Sequence, residues 1–443
     1  MPDNAPPVRL DLGCPMDVPV PAERQFYRRM STLGYLAASV PPRLASAGSA
    51  VAIPILAVQQ MNDVGLGGAL VAVSLGPSVL AAPLVGAALD RARRPGLLIA
   101  GSGLLSAIAF AVTAFLGQIP LPVVFASLAL AGAVSPFYFG GLSSFVADAM
   151  PDRRRAFAYD ALSYNVSAVA GPALVGLAAL FFPAQVALGL LAAAAVLGAL
   201  STAAIGLRSH AAAGVSVARS VLDGLGHILG HRPLAVVTAA STLSQLGQGG
   251  LAVAAVALSI ERTGAPGDGA LLVTSFAIGS LVGALWETVR PTRARLPAVM
   301  MLGFVFTGLS TIAAALDLGT AWTAAAIGLS GAFTASATAA MLHLRSRLSP
   351  PRLRSQVFTV GAGLRTSAAA AGAALAGSAT GLSGGLTVAG IGLIWVVSAG
   401  LMIAYPATAG DKKATPSRST SPGRTLPEDR DGRHEVREDM SFD

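Results

Sequence analysis

Residues 64–117 read VGLGGALVAVSLGPSVLAAPLVGAALDRARRPGLLIAGSGLLSAIAFAVTAFLG. Two long, mostly apolar runs, 64–88 and 95–117, flank the charged stretch Asp90-Arg91-Ala-Arg93-Arg94. A helix crossing the hydrocarbon core of a bilayer needs about 20 mostly apolar residues. The stretch therefore reads as two spanning helices joined by a basic turn, and the rest of the chain repeats that pattern. Of 443 residues, 53% are hydrophobic, 50 more are Gly and only 12% are charged, against about 25% charged in a soluble domain. Too little polar material is present to coat a water-facing globule. That excludes an ordinary soluble enzyme, a disordered chain and a fibre; the expectation is an all-α membrane protein.

Twelve spans are expected, at 36–60, 64–88, 95–117, 121–147, 156–181, 184–206, 233–259, 268–289, 295–316, 320–344, 355–380 and 384–405. The first is interrupted near its start by Pro41, Pro42 and Arg43. Gly and Pro inside spans are tolerated where neighbouring helices re-satisfy the backbone. Small residues at Gly101–Gly103, Gly132, Gly361–Gly363 and Gly372–Gly377 would let helices approach closely.

Charge sets the orientation. The even-numbered connections hold Arg91, Arg93, Arg94, Arg153 to Arg155, Arg208, Arg219, Arg232, Arg290, Arg293, Arg295, Arg345, Arg347, Arg352 and Arg354. The odd-numbered connections hold Arg262 alone. Because cytoplasmic loops carry the Lys and Arg excess, both termini and the even connections are expected inside, with the chain in the cell (inner or plasma) membrane. The same rule absorbs the net charge of +8, which in a soluble protein would suggest nucleic acid. Within 207–232, Val215, Val217, Val221, Leu222, Leu225, Ile228 and Leu229 recur at helical spacing, as in an amphipathic helix lying at the inner surface. Joining two halves would be role enough for it. Cys14 is the sole cysteine, so no disulfide framework and no Cys-rich metal site is expected. Met1 to Gly13 carries Asp3, Arg9 and Asp11 with no apolar run, unlike a cleavable signal or a lipid-anchor context.

The chain also repeats itself. Gly86, Asp90 and Arg93 recur as Gly283, Glu287 and Arg290; Pro151 and Arg155 as Pro350 and Arg354; Gly171 and Gly176 as Gly372 and Gly377. The expected organisation is a cytoplasmic segment 1–35, a six-helix bundle 36–206, a linker 207–232, a second bundle 233–406 and a disordered polar tail 407–443. Two parallel six-span repeats form a transporter architecture with the substrate path near the bilayer midplane between the halves.

On these residues the chain resembles the major facilitator superfamily. Gly86-Ala-Ala-Leu-Asp90-Arg91-Ala-Arg93-Arg94 is similar to its signature between the second and third helices, although Arg93 stands where Gly is usual. Asp148-Ala-Met-Pro151-Asp-Arg-Arg-Arg155, Asn165 and Gly171-Pro172-Ala-Leu-Val-Gly176 look like bacterial drug and siderophore exporters of that superfamily. Two features of similar proton-coupled exporters are replaced. Leu128 stands where an Arg precedes the fourth helix's Gly132, and Ser46-Ala47-Gly48 is followed by Ser49 and Ala50 rather than by an acid.

The resemblance implies a pseudo-symmetric twelve-helix fold and an inner gate. Asp90 would face the positive N-terminal end of the eleventh span, which begins near Arg354, a contact worth about 0.3–1 kcal/mol and up to about 2 when partly buried. Arg91 and Arg94 would pair with Asp148, with Gly86 and Arg93 completing the motif, and Glu287 and Arg290 would mirror it. The plain alternative is that these arginines only set topology. Arg365, about 16 Å along its helix from Arg354, falls near mid-bilayer, where a charge is costly and faces a cavity or a partner. It would bind an anionic substrate group or pair structurally. Asn165, Gln245 and Gln248 are path candidates, with interhelical bonding as the alternative, and Phe137, Tyr138 and Phe139 either pack or touch substrate. Asp160 and His343 are the titratable coupling candidates, and Gly171, Pro172, Gly176, Gly372 and Gly377 are read as helix-packing positions.

The leading expectation is a secondary active exporter of small amphipathic molecules, drug-, antibiotic- or siderophore-like, working by alternating access with protons as the candidate coupling ion. An importer of a small metabolite with the same fold is the alternative. A polytopic membrane enzyme would need clustered ligands or paired carboxylates, and an ATP-driven pump a Gly-x4-Gly-Lys-Ser/Thr loop; neither is visible, though a permease subunit served by a separate ATPase would need none. No cofactor and no metal is expected. The expected partners are a small-molecule substrate and the lipid bilayer, not nucleic acid, and the chain is expected to act as a monomer.

Overall fold

Each expected run folds as a helix. The computed structural model describes residues 32–146, 153–205, 207, 217–289, 294–350, 353–379 and 381–406. The first six spanning helices are α1 (Thr32–Met61), α2 (Val64–Arg91), α3 (Pro95–Ala114), α4 (Leu121–Pro136), α5 (Arg153–Ala179) and α6 (Ala184–Ile205). α4 is prolonged by a π-helical turn, Phe137–Gly141, and a last turn, Leu142–Ser144. The linker forms α7 (Val217–Gly230), followed by α8 (Arg232–Thr263), α9 (Asp268–Val289), α10 (Leu296–Ala314), α11 (Thr320–Leu348), α12 (Arg354–Ser378) and α13 (Gly384–Leu401). Residues up to Pro406 form one compact unit; Cys14, most of 1–35 and the tail 407–443 lie outside the described residues.

Twelve helices fill the twelve expected spans, and eleven of them are long and apolar enough by composition alone to cross a membrane. The twelfth, α12, fills the expected eleventh span and carries Gln356 and Arg365; it packs between α2 and α8. Two other expectations are corrected. The interruption in the first span is not a break, because Pro41, Pro42 and Pro54 all lie inside α1 and Arg43 is buried. Arg345 and Arg347 belong to the last turn of α11 rather than to a loop, and Arg345 is buried.

The main packing contacts of the first half have counterparts in the second. α1 packs on α2, α5 and α6, as α8 packs on α9, α12 and α13. α3 lies on α4 and α6 as α10 lies on α11 and α13, and α2 on α4 as α9 on α11. The halves meet through α2 with α12 and α5 with α9. The paired glycines set the intimate contacts: a Cβ on Gly171 would lie 2.6 Å from the Leu44 carbonyl, and one on Gly372 would strike the Leu246 carbonyl. A further landmark escapes sequence inspection. Gln59 at the end of α1 accepts the Ala184 N–H that opens α6, at 3.0 Å, and Glu261 at the end of α8 accepts the Gly384 N–H that opens α13.

The two ends of the bundle differ. The connections α2–α3, α4–α5, α9–α10 and α11–α12 lie at one end, the basic end. At the opposite end the core is continuous between the halves, joining Val51, Leu56 and Val175 to Val253, Val256, Ala270 and Ala373. There a Cβ on Gly68 would come within 2.5 Å of the Ala373 carbonyl and 2.6 Å of the Gly377 Cα. Gly86 lies eighteen residues further along α2, five full turns and hence on the same face. It is exposed and has no atom within 4 Å of where its Cβ would sit. The buried cluster at the basic end of the first half, around Tyr35, Val85, Leu89, Tyr138 and Ala156, contains first-half residues only. A cleft therefore opens between α2 and α12 toward the basic end.

α7 meets the bundle with one face. Its Ile228 is buried with Leu234 and Val357, while Leu222 and Leu229 are exposed, the disposition of an amphipathic helix at a bilayer surface. Val215 lies outside the described residues.

Candidate functional site

A charge inside apolar helices must find a partner, and in the first half it does. Arg43 of α1 is 1% exposed and donates from Nη1 to Asp160 Oδ1 of α5 at 2.9 Å. Nη1 also reaches Ser163 Oγ. Nη2 donates to Ser143 Oγ at 2.8 Å and to the Phe139 carbonyl at 3.1 Å. The Tyr164 ring covers the guanidinium, with Cζ 3.8 Å from the ring centroid, a cation–π contact. Asp160 Oδ1 collects two further donors, the Tyr35 hydroxyl at 2.5 Å and the Ser143 hydroxyl at 2.9 Å.

The local sequence explains why these groups meet. The π-helical turn Phe137–Gly141 shifts the backbone of α4 by one residue, a device common at functional sites, and leaves the Phe139 carbonyl available to Arg43. Asp160, Ser163 and Tyr164 recur at helical spacing on α5, so one face of that helix presents acid, hydroxyl and aromatic to α1. Tyr164 is 37% exposed and stacks on Phe139 at 5.9 Å, which puts the edge of the network at an accessible surface. The arrangement ties three helices, α1, α4 and α5, together through one buried ion pair.

A family model described as the Major Facilitator Superfamily matches residues 43–290, more than half of the chain. The chain belongs to the major facilitator superfamily. It is 27% identical over 371 residues to the uncharacterized MFS-type transporter y4rN of Sinorhizobium fredii (strain NBRC 101917 / NGR234), covering 80% of this chain and 91% of that one. Its fold is that of a peptide transporter POT in complex with sulfate (TM-score 0.66, 17% identity, 84% of this chain and 93% of that one). It also matches a variant of the nucleoside transporter NupG (TM-score 0.69, 15% identity, 84% and 97%). The protein is thus a multi-pass membrane transporter of this superfamily, not an enzyme.

The stretch that resembles the superfamily's signature joins α2 to α3 at the basic end. Gly86, Arg91, Arg93 and Arg94 stand at the basic end; the three arginines are exposed, and Arg91 bonds back to the Ala87 carbonyl at 3.3 Å. The Asp90 side chain, Asp148 and Arg290 lie outside the described residues. Glu287 is half-buried in the last turn of α9. Asn165 is exposed and bonds to the Ala161 carbonyl of its own helix at 3.0 Å, and Gln245 and Gln248 are half-buried on one face of α8. Tyr138 is buried in the first-half core with Ser106 as hydrogen-bond partner at 3.5 Å, whereas Phe137 and Phe139 are partly accessible. His343 is exposed and Asp160 is central. Gly171 and Gly372 are at helix crossings; Gly176 faces Ala270 and Gly377 faces Gly68 across the interface between the halves. Pro172 lies within α5.

Sequence reading missed Arg43 as a site residue, and with it Tyr35, Ser143, Ser163 and Tyr164. The available signal was a cation inside an apolar run, the feature taken as an interruption. It also counted Arg345 as a loop charge, whereas Arg345 is buried in α11. Among the described residues no group of three His, Cys, Asp or Glu is placed to hold a metal ion.

Proposed function

We propose that this transporter is a secondary active exporter of small amphipathic molecules, driven by alternating access and coupled to protons through Asp160. The observation that carries the reading is the buried Arg43–Asp160 pair bounded by the accessible Tyr164. Protonation of Asp160 removes the charge that holds Arg43, Tyr35 and Ser143 together, and so loosens α5 from α1 and α4. Because α5 also packs on α9 across the interface, that change reaches the contact between the halves.

The cleft open at the basic end supports one of the two access states, with the basic end and both termini in the cytoplasm and the chain in the cell membrane as a monomer. In the other state Asp90, Arg91 and Arg94 close on Asp148 and the start of α12, and Glu287 and Arg290 do the mirrored work. The outward direction rests on the resemblance of Asp148 to Gly176 to drug and siderophore exporters. Transport of labelled amphipathic compounds into inverted vesicles, with and without a proton gradient, tests it. Gradient-driven accumulation lost in Asp160→Asn is expected. Accumulation that persists without a gradient, or survives Asp160→Asn, overturns the coupling, and movement only in right-side-out vesicles overturns the direction.

A further inference from the structure

The membrane-embedded charges of the first half cancel; those of the second do not. At the offset of 201 that relates Gly171 to Gly372, Asp160 falls on Gly361 and Tyr164 on Arg365. The acid has become a glycine, and the aromatic that covers the guanidinium has become a second guanidinium. Arg345 of α11 enters the space: a Cβ on Gly361 would lie 2.8 Å from its Nη1, and its Nη2 donates to Ser241 Oγ of α8 at 2.7 Å. Arg345 is 2% exposed, and its Nε is enclosed without an acceptor.

Arg365 lies one turn beyond Gly361, on the same face of α12. It forms no hydrogen bond or ion pair with any described residue, and its Nε is likewise enclosed without an acceptor. Arg365 is the charged group that bears on Arg345. The described acids of the second half stand elsewhere: Glu261, Asp268 and Asp317 at the opposite end, Asp223 exposed on α7, and Glu287 in the last turn of α9. Among the described residues no anion stands beside the buried Arg345 and the half-buried Arg365, an arrangement with a desolvation and repulsion cost that a bound anion would offset.

Gln245 lies one turn beyond Ser241 on α8, and the Thr242 hydroxyl beside it is buried without a partner. We propose that Arg345 and Arg365, with Ser241 and Gln245, bind a single carboxylate or phosphate group of the transported molecule. The substrate class is then the organic anion. Guanidinium forks match the two oxygens of such a group. The inference rests on the transport reading and adds the charge of the cargo to it.

The test is ligand-induced thermal stabilisation of the full chain in zwitterionic phosphatidylcholine nanodiscs, with octanoate, octanol and inorganic phosphate as probes at matched ionic strength. Ligand bound to the folded state alone raises its melting temperature. Octanoate should stabilise the wild type at concentrations at least tenfold below octanol. Charge-assisted hydrogen bonds are worth about 1.5–3 kcal/mol, so Arg365→Gln should weaken octanoate about tenfold to a hundredfold. Arg365→Lys should keep part of the effect. Arg365→Gln should melt no lower than wild type without ligand, since an unpaired, half-buried charge has been removed. Equal stabilisation by octanoate and octanol, or an unchanged octanoate response in Arg365→Gln, overturns the proposal. So does a gain that requires phosphatidylglycerol discs and ignores octanoate, which assigns the site to a lipid headgroup. Binding needs neither gradient nor direction, so vesicle transport can fail while this site stands, and the reverse.

Discussion

Asparagine at position 160 separates charge from shape in the Arg43 network. Asp160→Asn keeps an oxygen where Tyr35 and Ser143 donate but leaves Arg43, 1% exposed, without its counter-charge. Breaking a buried pair from one side costs about 3–5 kcal/mol. Arg43→Gln should cost less, about 1–3 kcal/mol, because the Asp160 side chain keeps 15% exposure and two hydroxyl donors. In the double variant neither charge is stranded, and its cost should fall short of the sum of the singles by about 2–3 kcal/mol, within the usual range for residues in one network. Unfolding free energies from graded detergent denaturation of wild type, both singles and the double close the cycle. A double variant whose cost equals that sum would refute the pairing.

Gly171→Val places a side chain against the Leu44 carbonyl and the Gly48 amide, 2.6 and 2.7 Å from its Cβ, and should destabilise by at least about 1–3 kcal/mol, read as lost monodisperse protein in size exclusion. In a Cys14→Ser background, Gly86→Cys should react with a membrane-impermeant maleimide at the basic end while Val71→Cys, at a position 2% exposed, should not; equal labelling would close the cleft. Glu261→Ala removes the acceptor of the Gly384 amide at the start of α13 and should cost about 0.5–2 kcal/mol, visible as a lower melting temperature. Asp90→Asn should cripple transport with normal membrane insertion, and unchanged export would remove the gate.

The apolar runs, the alternation of basic and neutral connections and the paired glycines made the helices, their order and the repeat legible, because bilayer length and helix-crossing distance leave marks at fixed spacing along a chain. Arg43, Asp160, Ser143 and Tyr164 were not legible as one site: they come from α1, α4 and α5, and only the crossing of those helices, shifted by the π-turn of α4, brings them together. Arg345 shows the limit most clearly. Its neighbours in sequence make it a loop charge that sets topology, while in space it lies against Gly361, where the first half of the chain keeps an acid. A linear sequence records which side chains are present and the local period they follow. Whether a charge meets its counter-charge, or another charge of the same sign, depends on distances between helices far apart along the chain, and those are set only when the bundle packs.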